Sequence, residues 1–196
     1  GDTKEILEHS VKPLVADFLA ERGLTLSEEK TKITHITDGF DFLGFNVRKF
    51  GDTLLTQPSK DRTKRMLSKV KDEIKRFRGD AQHELIMRLN PILNGWANYY
   101  KHSAASNVFR KTDYQIYKKL WRWALRRHGN KCKGWIKNRY FHRIDGRDWV
   151  FAVKRKNEKH EEYFIPITIL FNTKIERYPQ LKCDVNPFDP EWKQYL

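Results

Sequence analysis

The spacing of apolar residues changes period partway along the chain, and each period predicts a different kind of element. Leu7, Val11, Leu14 and Phe18 recur at helical steps, with Asp2 and Glu5 spaced as a capping pair before them and Gly23 placed to stop the helix. Pro13 falls inside that pattern and predicts a kink. Residues 32–37, 40–50 and 53–57 are runs rich in β-branched and aromatic side chains. They are separated by Asp38-Gly39 and Gly51-Asp52, dipeptides suited to two-residue hairpin turns. One helix packed on a small antiparallel sheet is the local expectation.

At Ser59, a ready N-cap after Pro58, the period becomes helical and stays so. At ~100° per residue, Met66, Leu67, Val70, Ile74 and Phe77 share one arc. Lys60, Lys64, Lys71, Lys75 and Arg78 fill the arc beside it. Gly79 ends this helix, Asp80 can cap a short one through Leu89, and Asn90-Pro91 has the cap and first-turn signature of another running to Tyr100, so two short antiparallel helices are predicted. A long helix over 107–128 sets Phe109, Ile116, Leu120, Trp123 and Ala124 on one side and Lys111, Lys118, Lys119, Arg122 and Arg126 on the other. A short helix around 134–140 follows, then strands at 148–154 and 162–171 forming a terminal hairpin, and a linker at 186–190. The fold class is α+β, with domain boundaries expected after residues 58, 145 and 185.

Charge sharpens this picture. Lys and Arg number 39 against 25 Asp and Glu, a net charge of +14 with seven His left out. Residues 59–78 hold nine basic and three acidic side chains, and residues 101–143 hold thirteen against the single Asp113. The segment before Ser59 is slightly acidic. Solubility needs a net charge of only about 2 to 8, so this surplus points to a polyanion and to counterion release from a phosphate backbone. Like charges three and four residues apart weaken an isolated helix, which phosphates would offset. No apolar run approaches the ~20 residues of a membrane span, and Cys132 and Cys183 lie too far apart for a C-x-x-C knuckle. A soluble, cytoplasmic protein without a membrane partner is expected.

Several motifs in order carry a resemblance. Gly23-Leu24-Thr25-Leu26-Ser27-Glu28-Glu29-Lys30-Thr31 followed by Phe42-Leu43-Gly44-Phe45 resembles the sixth and seventh motifs of group II intron reverse transcriptases, the end of the palm and its primer-grip hairpin. Leu89-Asn90-Pro91, Gly95-Trp96-Ala97-Asn98-Tyr99-Tyr100, Trp121-x-Trp123, Arg127-His128, Trp135 and Tyr140-Phe141 resemble the maturase domain, also called domain X or thumb. Asn186-Pro187-Phe188-Asp189-Pro190 resembles the exit from it. The resemblance implies a palm end at 1–58, a helical thumb at 59–145, its terminal hairpin region at 146–185 and a linker at 186–196. It places a Tyr-x-Asp-Asp motif before Gly1 and, in many members, DNA-binding and nuclease segments after Leu196.

The resemblance assigns Lys30, Phe42, Leu43, Gly44 and Phe45 to the palm and primer grip. Gly44 suits a close backbone approach or a bulge, and Trp96, Tyr99 and Tyr100 suit the core. The nucleic-acid-binding set comprises Lys60, Lys64, Lys71, Lys75, Arg78, Lys111, Lys118, Lys119, Arg122, Arg126, Arg127, His128, Lys131, Lys133, Lys137 and Arg139. Its expected partners are structured group II intron RNA, an RNA–DNA duplex and the remainder of the reverse transcriptase. An adaptor that binds nucleic acid without ever joining a polymerase is the alternative. Asp38 and Asp41 flank a turn, and His128, Cys132, His142 and Cys183 match no zinc spacing. No catalytic set and no resident cofactor are expected, although the resemblance implies Mg2+ for the intact polymerase. The purified chain should therefore show no magnesium-dependent primer extension or cleavage; either activity above background in a gel assay refutes this.

Overall fold

The computed structural model describes residues 3–176, and the chain divides into two compact units between Thr56 and Gln57. The predicted linker and Cys183 lie outside the described residues.

The first unit begins with α1 (Lys4–Ile6), a π turn (Leu7–Val11) and α2 (Lys12–Ala20). Thr3 caps the start by accepting from the Ile6 amide at 3.4 Å, and Asp2 of the expected capping pair lies outside the described residues. The interruption expected at Pro13 takes the form of the π turn just ahead of it. Bonding restarts at Lys12, so the missing proline N–H falls in a first turn, where it would have no partner anyway. The apolar stripe does not pack as expected: Val11, Leu14 and Phe18 are all exposed, and no described residue before Pro58 is buried.

The sheet of this unit has the order β1 (Phe40–Phe42), β2 (Phe45–Phe50), β3 (Thr53–Pro58). The predicted strand at 40–50 is instead a hairpin, with Phe42 opposite Phe45 and Phe40 opposite Val47. Leu43 and Gly44, at φ +48° and +86°, make the two-residue turn, so Gly44 is a turn residue and not a bulge. Residues 32–37 form no strand. Their chain turns at His35, whose carbonyl accepts from the Asp38 and Gly39 amides, and only the Lys49 amide reaches back, to the Ile36 carbonyl at 2.9 Å. Gly39 is required there, because a Cβ would stand 2.8 Å from Cβ of Arg48.

The second unit contains α3 (Lys60–Arg76), α4 (Gln82–Tyr100), α5 (Ser106–Arg127), α6 (Lys133–Tyr140), β4 (Phe141–Ile144), β5 (Arg147–Lys156), β6 (Glu162–Pro166) and a 3-10 turn (Leu170–Asn172). Ser59 caps α3 by accepting from the Arg62 amide at 3.3 Å. The two short helices expected around Pro91 are one continuous α4. Asn90 does not cap: its amide donates to the Pro166 carbonyl at 3.0 Å and its Oδ1 accepts from the Thr168 amide at 2.8 Å. Burial on both sides of the proline, by Leu85, Ile86 and Leu89 before it and Leu93 and Ala97 after it, outweighs the missing hydrogen bond.

The terminal hairpin proves to be a three-stranded antiparallel sheet, β4-β5-β6. The predicted second strand stops at Pro166, and β4 is added directly after α6. Gln82 joins helix and sheet by donating to the carbonyls of Tyr140 at 3.1 Å and Ala152 at 3.0 Å. Phe109, Leu120, Ile136, Phe151 and Leu170 meet in the core between them. Of the three aromatics assigned to the core, Tyr100 is buried, Trp96 half-buried and Tyr99 exposed. No described helix is long and apolar enough to cross a membrane.

Replacing Asn90 by Ala leaves two backbone groups of the sheet edge without partners. The Asn90→Ala variant should lose about 1–3 kcal/mol of unfolding free energy in urea at unchanged m-value. An unchanged midpoint refutes the role given to Asn90.

Candidate nucleic-acid interface

Helix α3 sorts its cations by flank. Arg65 pairs with Asp61 at 2.8 Å, and buried Glu73 takes Arg76 at 3.3 Å and Arg88 at 3.1 Å. Lys60, Lys64, Lys71 and Lys75 occupy the other flank and Arg78 follows just past the helix end; all five are exposed, and none of them forms an ion pair with a described carboxylate.

Helix α5 continues that unpaired strip. Its buried stripe is Phe109, Thr112, Ile116, Leu120, Trp123 and Ala124. At ~100° per residue, Lys119, Arg122 and Arg126 lie on one side of this stripe and Tyr114, Tyr117 and Trp121 on the other. Lys111 and Lys118 fall between. Lys119 faces α3: burial, followed by the charges of Lys71, Arg122 and Lys118, holds its ammonium below the usual lysine range. Because α3 and α5 pack together and the charge of Lys71 reaches Lys119, the two cationic strips adjoin. Such crowding costs stability in the free protein, and a polyanion lying across it would relieve that cost.

Other residues expected at the interface have structural work. Arg127 donates to the carbonyls of Arg78, Asp80 and Gly79 at 3.0, 2.6 and 3.4 Å, with its guanidinium over the Trp123 ring at 4.6 Å. It closes the turn between α3 and α4, and Trp123 assists by donating from Nε1 to the Phe77 carbonyl at 3.0 Å. His128 pairs through Nε2 with the Tyr140 hydroxyl at 2.6 Å, and its ring packs against Trp135. Lys131 and Lys137 lie over the rings of Trp135 and Trp149, at 5.6 and 5.4 Å. Lys133 and Arg139 are exposed on α6.

In the first unit, Lys30 is exposed at the end of a turn, its amide on the Ser27 carbonyl at 3.2 Å. Phe42 and Leu43 are exposed at the hairpin tip, while Gly44 and Phe45 are half-buried. Among the described residues no three of His, Cys, Asp and Glu gather as a metal site, and Asp41 accepts from the Asn46 amide at 2.7 Å. These side chains do not fit the magnesium pair of a polymerase.

Tyr114, Tyr117 and Trp149 are absent from the set read from the sequence. Tyr114 and Tyr117 carried a signal, since with Trp121 they recur at helical spacing on the flank opposite Lys119. Trp149 carried none, because a bulge in β5 sets its direction.

Residues 63–141 match the family model described as group II intron, maturase-specific domain. The match runs from the first turns of α3 to the start of β4 and takes in every predicted nucleic-acid contact of the second unit except Lys60. No curated protein matches the chain.

The depressed Lys119 gives a pH test with a definite sign. Folding lowers its proton affinity, so the charged form opposes the fold at neutral pH, and that penalty fades as pH rises through the depressed value toward 10.5. Lys119→Met should raise the urea midpoint at pH 7, and the gain should shrink at alkaline pH. A variant no more stable than the parent at pH 7 refutes the crowding.

Proposed function

We propose, on the premise that residues 63–141 are a group II intron maturase-specific domain, that α3 and α5 grip the phosphate backbone of structured intron RNA. The domain points to intron splicing as its setting. The observation that carries the reading is that the cationic strips of α3 and α5, none of whose members pairs with a described carboxylate, adjoin where the two helices pack together. A solvated face gains nothing from excluding carboxylates on one flank while pairing Arg65 and Arg76 on the other. Side chains cannot enter the deep groove of an A-form helix, so the contact reads shape and backbone, and an RNA–DNA primer-template duplex would meet the same surface. The exposed hairpin tip at Phe42 and Leu43, with Lys30, is the part proposed to face the primer and the rest of the polymerase.

The test is a binding titration with fluorescent RNA stems at several salt concentrations. With five to eight phosphate contacts, log affinity should fall against log salt with a slope of magnitude about 4 to 7. The triple variant Lys64→Glu, Lys71→Glu and Lys75→Glu should flatten that slope by about 2 or more, at an unchanged helical signal. Stems of unrelated sequence and equal shape should compete within about tenfold. A shallow slope with strong preference among such stems defeats the backbone grip.

A further inference from the structure

On the flank of α5 away from α3 lies a cleft of about 310 Å³, at the lower end of the roughly 300–1,000 Å³ usual for small-ligand sites. It opens between α5, β5 and the 3-10 turn. Its walls are aromatic, formed by Tyr114, Tyr117, Trp149 and Phe171, and Arg110 and Arg147 stand at it. Both guanidinium groups lie over the Phe171 ring, at 4.6 and 5.9 Å from its centre.

We propose that this cleft takes one unpaired base of a bound RNA, stacked on its aromatic walls, with the flanking phosphates on Arg110 and Arg147. Three observations support an RNA base over an apolar ligand. The first is charge. The two carboxylates of the cleft are already engaged: Asp113 accepts the amides of Leu170 and Phe171 at 2.9 Å each, and Asp148 pairs with Arg143 at 3.8 Å. Asp113 and Asp148 keep their charge, and Arg147 acts on Asp113, but Arg110, Arg143 and Arg147 together outnumber them, so the rim is net positive and an anion is favoured beside the rings.

The second is the way Trp149 is presented. His142 pairs with Val150 and Ile144 with Arg147, so Arg143 alone faces both Asp148 and Trp149. This bulge holds Trp149 at φ +61°, a conformation a bulky residue rarely adopts. The ring is turned onto Trp121 and Tyr117 in edge-type contacts at 5.6 and 6.3 Å and remains 43% exposed. Among the described residues no ring stacks on Trp149; the Lys137 ammonium lies over it at 5.4 Å, and the exposed remainder of the ring is suited to receive a base.

The third is continuity. Tyr114, at the cleft, carries the Lys118 ammonium 5.1 Å from its ring centre, and Lys118 lies between the aromatic flank and the cationic one. A strand following the phosphate strip around α5 arrives at the cleft. Unpaired nucleotides, unlike those in a duplex, present free faces for stacking, and every base has one.

The proposal rests on the RNA-binding reading, and its test separates the two. The full chain is titrated with two RNA stems identical except for one unpaired purine, 2-aminopurine, in the second. The unpaired base should tighten binding about tenfold and quench 2-aminopurine fluorescence. Tyr114→Ala with Arg110→Ala, both at exposed positions, should abolish the gain and the quench while changing affinity for the paired stem less than twofold. The triple charge reversal on α3 should do the opposite, weakening both stems and preserving their ratio. Equal affinity for the two stems, or a gain that survives the double variant, overturns the base site. If neither stem binds, the backbone grip fails; single-stranded oligoadenylate carrying 2-aminopurine then decides the cleft, quench supporting it and no quench overturning it.

Discussion

The rotation of α5 about its own axis is the constraint on which the second unit depends. Phe109, Ile116 and Leu120 are almost wholly buried on one side of it, and each such side chain contributes about 1.5–3 kcal/mol when removed from water. Repulsion between neighbouring lysines and arginines on the outer side costs a few tenths of a kcal/mol per pair. Burial therefore decides the orientation, and the charged and aromatic side chains follow. Once the stripe faces inward, Lys119 must lie on the side of α3, within the field of Lys71, while Tyr117 and Trp121 must meet Trp149 on β5.

One helix thereby presents two chemistries, one on each flank of its buried stripe. The cationic flank suits a backbone of fixed charge spacing, and the aromatic flank suits bases that are not paired. The division costs stability, since a partly buried lysine among other cations opposes folding. Arg127 has a different task at the adjoining turn, where its guanidinium donates to the carbonyls of Arg78, Gly79 and Asp80 between α3 and α4. A lysine could not span those acceptors with one ammonium.

The first unit stands in contrast. It has well-formed turns and a hairpin ladder but no buried residue among those described, and many of its apolar side chains, among them Ile6, Leu14, Phe18, Phe42 and Leu54, remain exposed. Its local structure arises from backbone signals: the Gly51-Asp52 turn, the left-handed pair Leu43 and Gly44, and the close approach that only Gly39 permits. An apolar surface of this extent is the signature of a contact face.

The sequence by itself determined whatever rests on neighbours a turn or two away. The Ser59 cap, the lengths of α3 and α5, their buried stripes, the Gly51-Asp52 turn and the sorting of charge into two basic blocks were all legible, because helical period, capping and turn chemistry act over a few residues. The maturase resemblance was legible for the same reason, its motifs being short and in order. Tertiary structure decided the rest. Pro91 reads locally as a helix start, but Asn90 finds its partners at Pro166 and Thr168, and the helix runs on. Arg127 reads as one more cation, and the turn it holds lies nearly fifty residues earlier. Strand β4 exists because β5 lies beside it, and Trp149 faces the cleft because a bulge in that pairing turns it there. Hydrogen bonds and ring contacts between residues far apart in the chain leave no periodic trace, so the aromatic cleft had to be found in the fold.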